Sequence, residues 1–278
     1  MGVRLERLRS MAEASMTIPR LLSIAGSDSG GGAGIQADLK AFARCGGHGM
    51  TAITAITAQS TLEVSAVHPI PPEMIVEQVR AVVADIGVDA VKVGMLGSVA
   101  TIEAVARALE LTGSAPVVLD PVMVAESGAR LLEREAIDAL RERLLPRADV
   151  VTPNLPEARV LVGGDGEAMD PLRLGRAVLA LGPAAVVVTG GHREEAIDVY
   201  VDAGQAAELP GQRQPDGAAH GSGCTHSSAL AAHLALGSPP LAAARAAKEI
   251  AAAAVRDGLR EIGGGPGPVD VLALAARR

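Results

Sequence analysis

The sequence predicts an α/β fold with a mostly parallel central sheet covered by helices on both faces. Two observations predict it. Short apolar, β-branched runs alternate with longer Ala/Leu-rich stretches, the pattern of repeated strand–helix units. The runs are almost uniformly apolar rather than alternating, as strands buried on both faces must be. No linker, internal repeat or low-complexity boundary divides the chain, so residues 17–278 read as a single domain. Residues 1–16 read as an N-terminal extension; Met16 directly precedes the first structured segment, and a mobile tail or an uncertain start site accounts for them equally well.

In chain order, strands are expected at residues 21–25, 51–57, 90–93, 117–119, 149–152 and 185–189. Between the second and third, Ile75, Val79, Val82, Val83 and Ile86 recur at helical spacing, which sets one apolar stripe against the sheet. The four alanines at 251–254 read as close-packed helix. Ligands of a doubly wound parallel sheet lie beyond the carboxyl ends of its strands. The segments 26–34, 94–97, 120–123, 153–157 and 190–192 all fall at such ends.

The chain has 278 residues, 49% of them apolar, enough for a sizeable core. Phe42 and Tyr200 are the only aromatic residues apart from histidine, so the core is aliphatic and there is no platform for stacking bases. The net charge of −7 and the absence of a basic run argue against a nucleic-acid partner. Cys45 and Cys224 form neither a C-x-x-C pair nor a disulfide framework, which fits a reducing compartment. With no apolar segment of signal or membrane-span character, a cytoplasmic protein without membrane contact is expected.

The segment Gly26-Ser-Asp-Ser-Gly-Gly-Gly-Ala-Gly34 joins the first strand to a helix carrying Asp38 and Lys40. Its glycines permit close backbone approach to a ligand, or a flexible surface turn. It is not a P-loop, because Gly32-Ala33 stands where Lys-Ser/Thr is required, and Ile35 breaks G-x-G-x-x-G. The segment His220-Gly-Ser-Gly-Cys-Thr-His-Ser-Ser228 opens a helix running to about Leu236. Its first-turn amides and the helix dipole make an anion hole for a phosphoryl group in flight. Cys224 at that terminus is expected to have a lowered pKa and could take a proton from an attacking hydroxyl; otherwise it packs as a small hydrophobe. His220 reads as a turn or pocket hydrogen-bonding residue. His226 and His233 lack a third partner for zinc.

Asn154 and Glu157, three apart at a helix start, suit either water-mediated Mg²⁺ binding or a capping box. Asp120, at a strand end before Pro121, is either a structural cap or a carboxylate facing phosphates and metal.

Taken together, Ile24-Ala-Gly-Ser-Asp-Ser-Gly-Gly-Gly-Ala-Gly-Ile-Gln-Ala-Asp-Leu-Lys40, Thr57-Ala-Gln-Ser-Thr61, Lys92-Val-Gly-Met-Leu96, Leu119-Asp-Pro-Val-Met123, Thr152-Pro-Asn-Leu-Pro-Glu-Ala158 and His220-Gly-Ser-Gly-Cys-Thr225 resemble the hydroxymethylpyrimidine/phosphomethylpyrimidine kinases, in the family's order. The resemblance implies a ribokinase-like three-layer α/β/α sandwich, ATP and Mg²⁺ as requirements, and a homodimer. It implies two phosphorylations in thiamine biosynthesis, of 4-amino-5-hydroxymethyl-2-methylpyrimidine and then of its monophosphate. By position, Ala33, Asp38 and Gln59 match the pyrimidine contacts, with Gly26, Met95 and Val122 around the ring. Cys224 matches the family's base, and the amides of Gly221, Ser222, Gly223 and Cys224 its oxyanion hole. Asp120, Thr152, Thr189 and Gly191 fall in the ATP and phosphate region, and Asn154 and Glu157 in the metal region, with Mg²⁺ held through water.

The sequence departs from the family at Thr189-Gly-Gly-His192, where Lys commonly precedes the glycines. Losing that ammonium removes a charge that stabilises transfer, and a Lys or Arg from elsewhere is expected to compensate. Pyridoxal kinase, which shares the superfamily fold, and a non-catalytic pyrimidine-binding regulatory module are the alternative functions.

Overall fold

The computed structural model of the chain describes residues 17–125, 128–163, 169–190, 196–214 and 218–277. Eight of its strands form one sheet: β1 (Arg20–Ala25), β2 (His48–Ile53), β5 (Ala90–Val93), β6 (Val117–Leu119), β7 (Val150–Val151), β8 (Ala185–Val188), β9 (Asp198–Asp202) and β10 (Ala206–Leu209). Their order is β10-β9-β8-β7-β6-β5-β1-β2. Every pair from β8 to β2 is parallel, and β9 and β10 close one edge antiparallel. A separate antiparallel pair, β3 (Ala55–Gln59) and β4 (Val64–Pro69), stands beside the sheet.

The sheet is the middle of three layers. On one face α1 (Gly34–Arg44), α7 (Ser222–Ala235) and α8 (Pro240–Arg256) pack through Phe42, Ala229 to Ala232 and Ala243, Ala244 and Ala247. On the other lie α2 (Pro72–Asp85), α3 (Val99–Leu109), α4 (Ala136–Arg143), α5 (Leu155–Val162) and α6 (Pro171–Leu179). The alanine-rich faces let helices approach the sheet closely, so the aliphatic core fills without rings. Strands β5, β6 and β8 are buried along their whole length, which is why they read as uninterrupted apolar runs.

The expected strand at 51–57 is instead two strands in different sheets. The break falls at Thr54, a buried residue whose hydroxyl donates to the Met95 carbonyl at 2.7 Å and whose N–H donates to Ala25 O at 3.0 Å. These bonds tie the chain to the ends of β1 and β5 and release β3 to pair with β4. In α2, Ile75 and Val79 are buried and Val82 and Val83 pack against the core, whereas Ile86 is the half-exposed C-cap. Residues 251–254 lie within α8, as expected.

Candidate active site

The site forms because each strand hands the chain to its neighbour one residue beyond its own end. The N–H groups of Gly94, Asp120, Thr152 and Thr189 donate to Ile24, Val93, Leu119 and Pro153 carbonyls at 2.8–3.0 Å. The loops after β1, β5, β6, β7 and β8 therefore converge on one cavity of about 470 Å³.

At one end, Asp28 organises the glycine loop. Its carboxylate accepts N–H bonds from Gly30, Gly32 and Ala33 at 2.8–3.0 Å and shares a hydrogen with His220 Nε2 at 2.9 Å. Burial pushes the Asp28 carboxyl up, but His220 and the loop amides outweigh it and hold the pKa below the ordinary value. Lys40 Nζ adds a bond to Gly31 O at 2.6 Å. The loop is thus a bonded cradle rather than a flexible turn, and His220 is the pocket hydrogen-bonding residue its position suggests.

Facing it is the start of α7. Gly221 caps the helix in the left-handed region, φ +86°, and a Cβ there would stand 1.7 Å from Gly32 O. The two glycine segments therefore touch, and only glycine permits it. Gly221→Ala is expected to cost about 1–2 kcal/mol for the left-handed backbone alone, with further loss from the clash. Urea unfolding should show a lower midpoint, and nucleotide binding should weaken with it; an unchanged midpoint would refute the close approach.

Ser222 does not serve the anion hole as expected, because its N–H donates to Ala219 O at 2.9 Å. The amides of Gly221, Gly223 and Cys224 have no backbone partner among the described residues, so the hole loses only the Ser222 amide.

Cys224 lines the cavity and is half-buried, but its thiol is not acidified. Burial pushes its pKa up to about 12, aided by the nearby Asp38 and Asp120 carboxylates, against Lys92 and an N–H from Gly34. Desolvation outweighs the helix terminus, which corrects the lowered value expected from sequence.

Asp38 is also corrected. It lies beneath the cavity rather than in its wall, fully buried, where Lys92 Nζ reaches its two oxygens at 2.9 and 3.1 Å. Ser228 and Ser23 hydroxyls donate to the same oxygens at 2.7 and 2.6 Å. Four bonds occupy this carboxylate, so it has no free face for a ring. Burial works against the charge on Lys92, yet Asp38, Cys224 and Asp120 hold its pKa above the ordinary lysine value.

Gly26, Ala33, Gln59, Met95 and Val122 do line the cavity, although the Ala33 N–H is already engaged by Asp28. Asp120, Thr152, Thr189, Asn154 and Glu157 line it as well. Asn154 and Glu157 form the capping box: Asn154 Oδ1 accepts from Glu157 N–H and Glu157 Oε2 from Asn154 N–H, both at 2.9 Å. Burial, with the Asp120 charge, pushes the Glu157 carboxyl up to about 8. Burial likewise raises Asp120, while Lys92 and a 3.0 Å bond from Ser227 Oγ oppose the rise. Thr152 Oγ1 is buried and unpartnered among the described residues. Gly191 lies outside the described residues. Lys248 also lines the cavity, and its Nζ donates to Asp198 Oδ1 and Ala196 O, each at 2.7 Å.

Sequence reasoning missed Asp28, Lys92 and His226. Asp28 had a signal, since Asp followed two residues on by glycine is a side-chain-stabilised turn. Lys92 had another, a charge inside an apolar strand.

Free helix-terminal amides opposite a small apolar pocket, at the carboxyl ends of a parallel sheet in α/β/α layers, define a ribokinase-like small-molecule phosphotransferase. A sequence model of the phosphomethylpyrimidine kinase family matches residues 28–270, and the chain belongs to that family. It is 46% identical over 258 residues to the hydroxymethylpyrimidine/phosphomethylpyrimidine kinase of Streptomyces coelicolor, covering 92% of this chain and 95% of that one. With the Rhizobium meliloti protein of the same name it shares 49% over 253 residues, 89% and 95% of the two chains. A thiamine biosynthesis bifunctional protein of Geobacter sulfurreducens is 43% identical over 92% of this chain and 52% of its own length. Among solved structures, pyridoxal kinase of Staphylococcus aureus in complex with ADP superposes with a TM-score of 0.82 at 33% identity, covering 92% and 94% of the chains. Phosphomethylpyrimidine kinase of Clostridium difficile superposes at 0.72 with 40% identity, covering 84% and 97%.

Proposed function

We propose that the chain transfers the terminal phosphoryl group of ATP to the hydroxymethyl group of 4-amino-5-hydroxymethyl-2-methylpyrimidine, and then to the resulting monophosphate, in thiamine biosynthesis. The observation that carries this reading is the contact of Gly221 with Gly32, which brings the α7 amides into the same cavity as Gly26, Ala33, Gln59, Met95 and Val122. The names of the relatives agree with it.

The ring sits against Met95 and Val122, with the Gln59 amide offering a donor and an acceptor to its polar edge. Gly223 and Cys224 amides hold the phosphoryl oxygens as charge develops, and Cys224 takes the hydroxyl proton. Thr152 and Thr189 hydroxyls reach phosphate oxygens, and Lys248 is the compensating cation. Asp120 and Glu157 suit Mg²⁺, because burial raises both carboxyls and the Asp120 charge raises Glu157 further, a strain that a divalent ion relieves. No cluster of three ligating His, Cys, Asp or Glu exists among the described residues, which fits an ion that keeps most of its waters, with Asn154 and Glu157 holding it through them. That ion would supply charge neutralisation of the phosphates. The same reading makes the protein a cytoplasmic homodimer; no described helix is long and apolar enough to cross a membrane.

Phosphorus NMR of the protein with ATP, Mg²⁺ and the pyrimidine alcohol should show ADP, the monophosphate and then the diphosphate; absence of sugar-free phosphate esters would overturn the reading. The structural likeness to pyridoxal kinases favours a second substrate, and pyridoxal assayed side by side decides between one ring type and two. Thr189→Lys is expected to raise turnover by restoring an ammonium beside the phosphates; unchanged turnover would show that the charge is already fully supplied.

A further inference from the structure

His226 stands on the wall of the cavity, 4% exposed, one helical turn into α7. Neither ring nitrogen has a hydrogen-bond partner among the described residues. A buried polar group left unpaired carries an uncompensated desolvation cost, which a partner from outside the chain would relieve.

The surroundings say what kind of partner fits. Two charged groups face the imidazole: Asp198, at the start of β9, and Lys248, on α8. Asp198 is 2% exposed, and its Oδ1 is taken by Lys248 Nζ at 2.7 Å and Gly190 N–H at 2.8 Å. Its Oδ2 lies 3.9 Å from His226 Nε2, too far for a hydrogen bond but near enough for its charge to act on the ring. A carboxylate behind one nitrogen favours a proton there and leaves the other nitrogen to face the ligand. The cavity that the imidazole lines is lined also by Thr189, Thr152, Gly223 and Lys248, the residues that the kinase reading sets at the phosphates.

Resting on the kinase reading above, we propose that His226 is a nucleotide-binding residue of this chain, its Asp198-backed imidazole donating a hydrogen bond to a phosphate oxygen of the bound nucleotide in addition to the contacts of Thr189 and Lys248. In the free protein, burial first and Lys248 second hold the imidazole below its ordinary pKa, against Asp198, so it is neutral at neutral pH. An anionic phosphate reverses that balance. Binding is then accompanied by uptake of a proton.

Calorimetric titration of ADP with Mg²⁺ into the full chain, in buffers of different ionisation heat, tests this at roughly pH 6 and roughly pH 8.5. The parent should take up protons on binding and bind more tightly at the lower pH. His226→Leu should weaken ADP about tenfold and abolish the uptake, with pyrimidine affinity unmoved. His226→Gln, which keeps a neutral donor, should recover part of the affinity without the uptake. Adding Thr189→Lys to His226→Leu should restore affinity. If His226→Leu binds ADP within about twofold of the parent, or retains the proton uptake, this inference is wrong while the kinase reading stands. If the parent binds no nucleotide at all, both are wrong.

Discussion

Cys224→Ala is expected to lower single-turnover phosphoryl transfer by about 10²-fold or more, while the affinity for the pyrimidine stays within about twofold of the parent. The thiol lines the cavity with the free Gly223 and Cys224 amides, where the proposed reading has the attacking hydroxyl meet the terminal phosphate. Its pKa, pushed up to about 12 by burial and by the carboxylates of Asp38 and Asp120, fixes the form of the pH dependence. Below that value the thiolate is the minor species, and its fraction grows with pH. Transfer in the parent should therefore accelerate through the neutral and mildly alkaline range, with a slope of up to about one log unit per pH unit. The variant should lose that slope. Rapid-quench measurement of the first turnover separates this from product release. Normal transfer in Cys224→Ala would move the proton to Asp120, the carboxylate on the same wall that accepts from Ser227; Asp120→Asn would then be the damaging change.

The sequence was most legible where burial is two-sided. Strands 90–93 and 117–119 coincide with the expected runs because every residue in them is buried, so the apolar signal has no gaps. The antiparallel pair β3–β4 left no such signal, since β4 is exposed along nearly its whole length and β3 alternates. Among site residues, the glycine segments and the loops after the strands were readable from position alone, as backbone groups do that work. Asp120 and Glu157 were readable the same way, but Asp28 and Asp38 were not, because loop and helix residues cannot be ranked for cavity access without a fold. Asp38 did carry a hint: it stands three after Ile35 and four before Phe42, on the buried face of α1. A carboxylate on an apolar helix face and a lysine inside an apolar strand call for one another. His226 was weighed only with His233 as a metal pair, and its real setting depends on β9 and α8, which no local pattern in α7 reveals.

Breaking the Lys92–Asp38 pair should produce the largest loss of stability, about 3–5 kcal/mol for either single substitution. Both side chains are fully buried, and the pair joins β5 to α1 across the layer that supports the cavity floor. Gly94 makes room for the ammonium, since a Cβ there would lie 2.7 Å from Lys92 Nζ. In the parent, the Lys92 pKa is raised, so the stabilisation it confers is fully present below the unfolded lysine value and is lost only as pH rises through the higher folded one. Asp38→Ala removes the main cause of that rise and leaves burial dominant, which favours the neutral amine. The folded state then binds fewer protons than the unfolded chain, and the variant should gain stability as pH rises. Lys92→Met instead strands a carboxylate on the Ser23 and Ser228 hydroxyls, a charge that is cheaper neutral, so this variant should gain stability as pH falls. Denaturant melts of the two variants across pH should therefore slope in opposite directions. Parallel slopes, or a loss below about 1 kcal/mol in both, would mean that water reaches the pair and that burial does not govern it. Asp38→Leu with Lys92→Met should recover most of the stability, because no charge remains unpaired. Its phosphoryl transfer should not recover, because Cys224 and Asp120 lose in Lys92 a larger lowering influence on their pKa than the raising one they lose in Asp38.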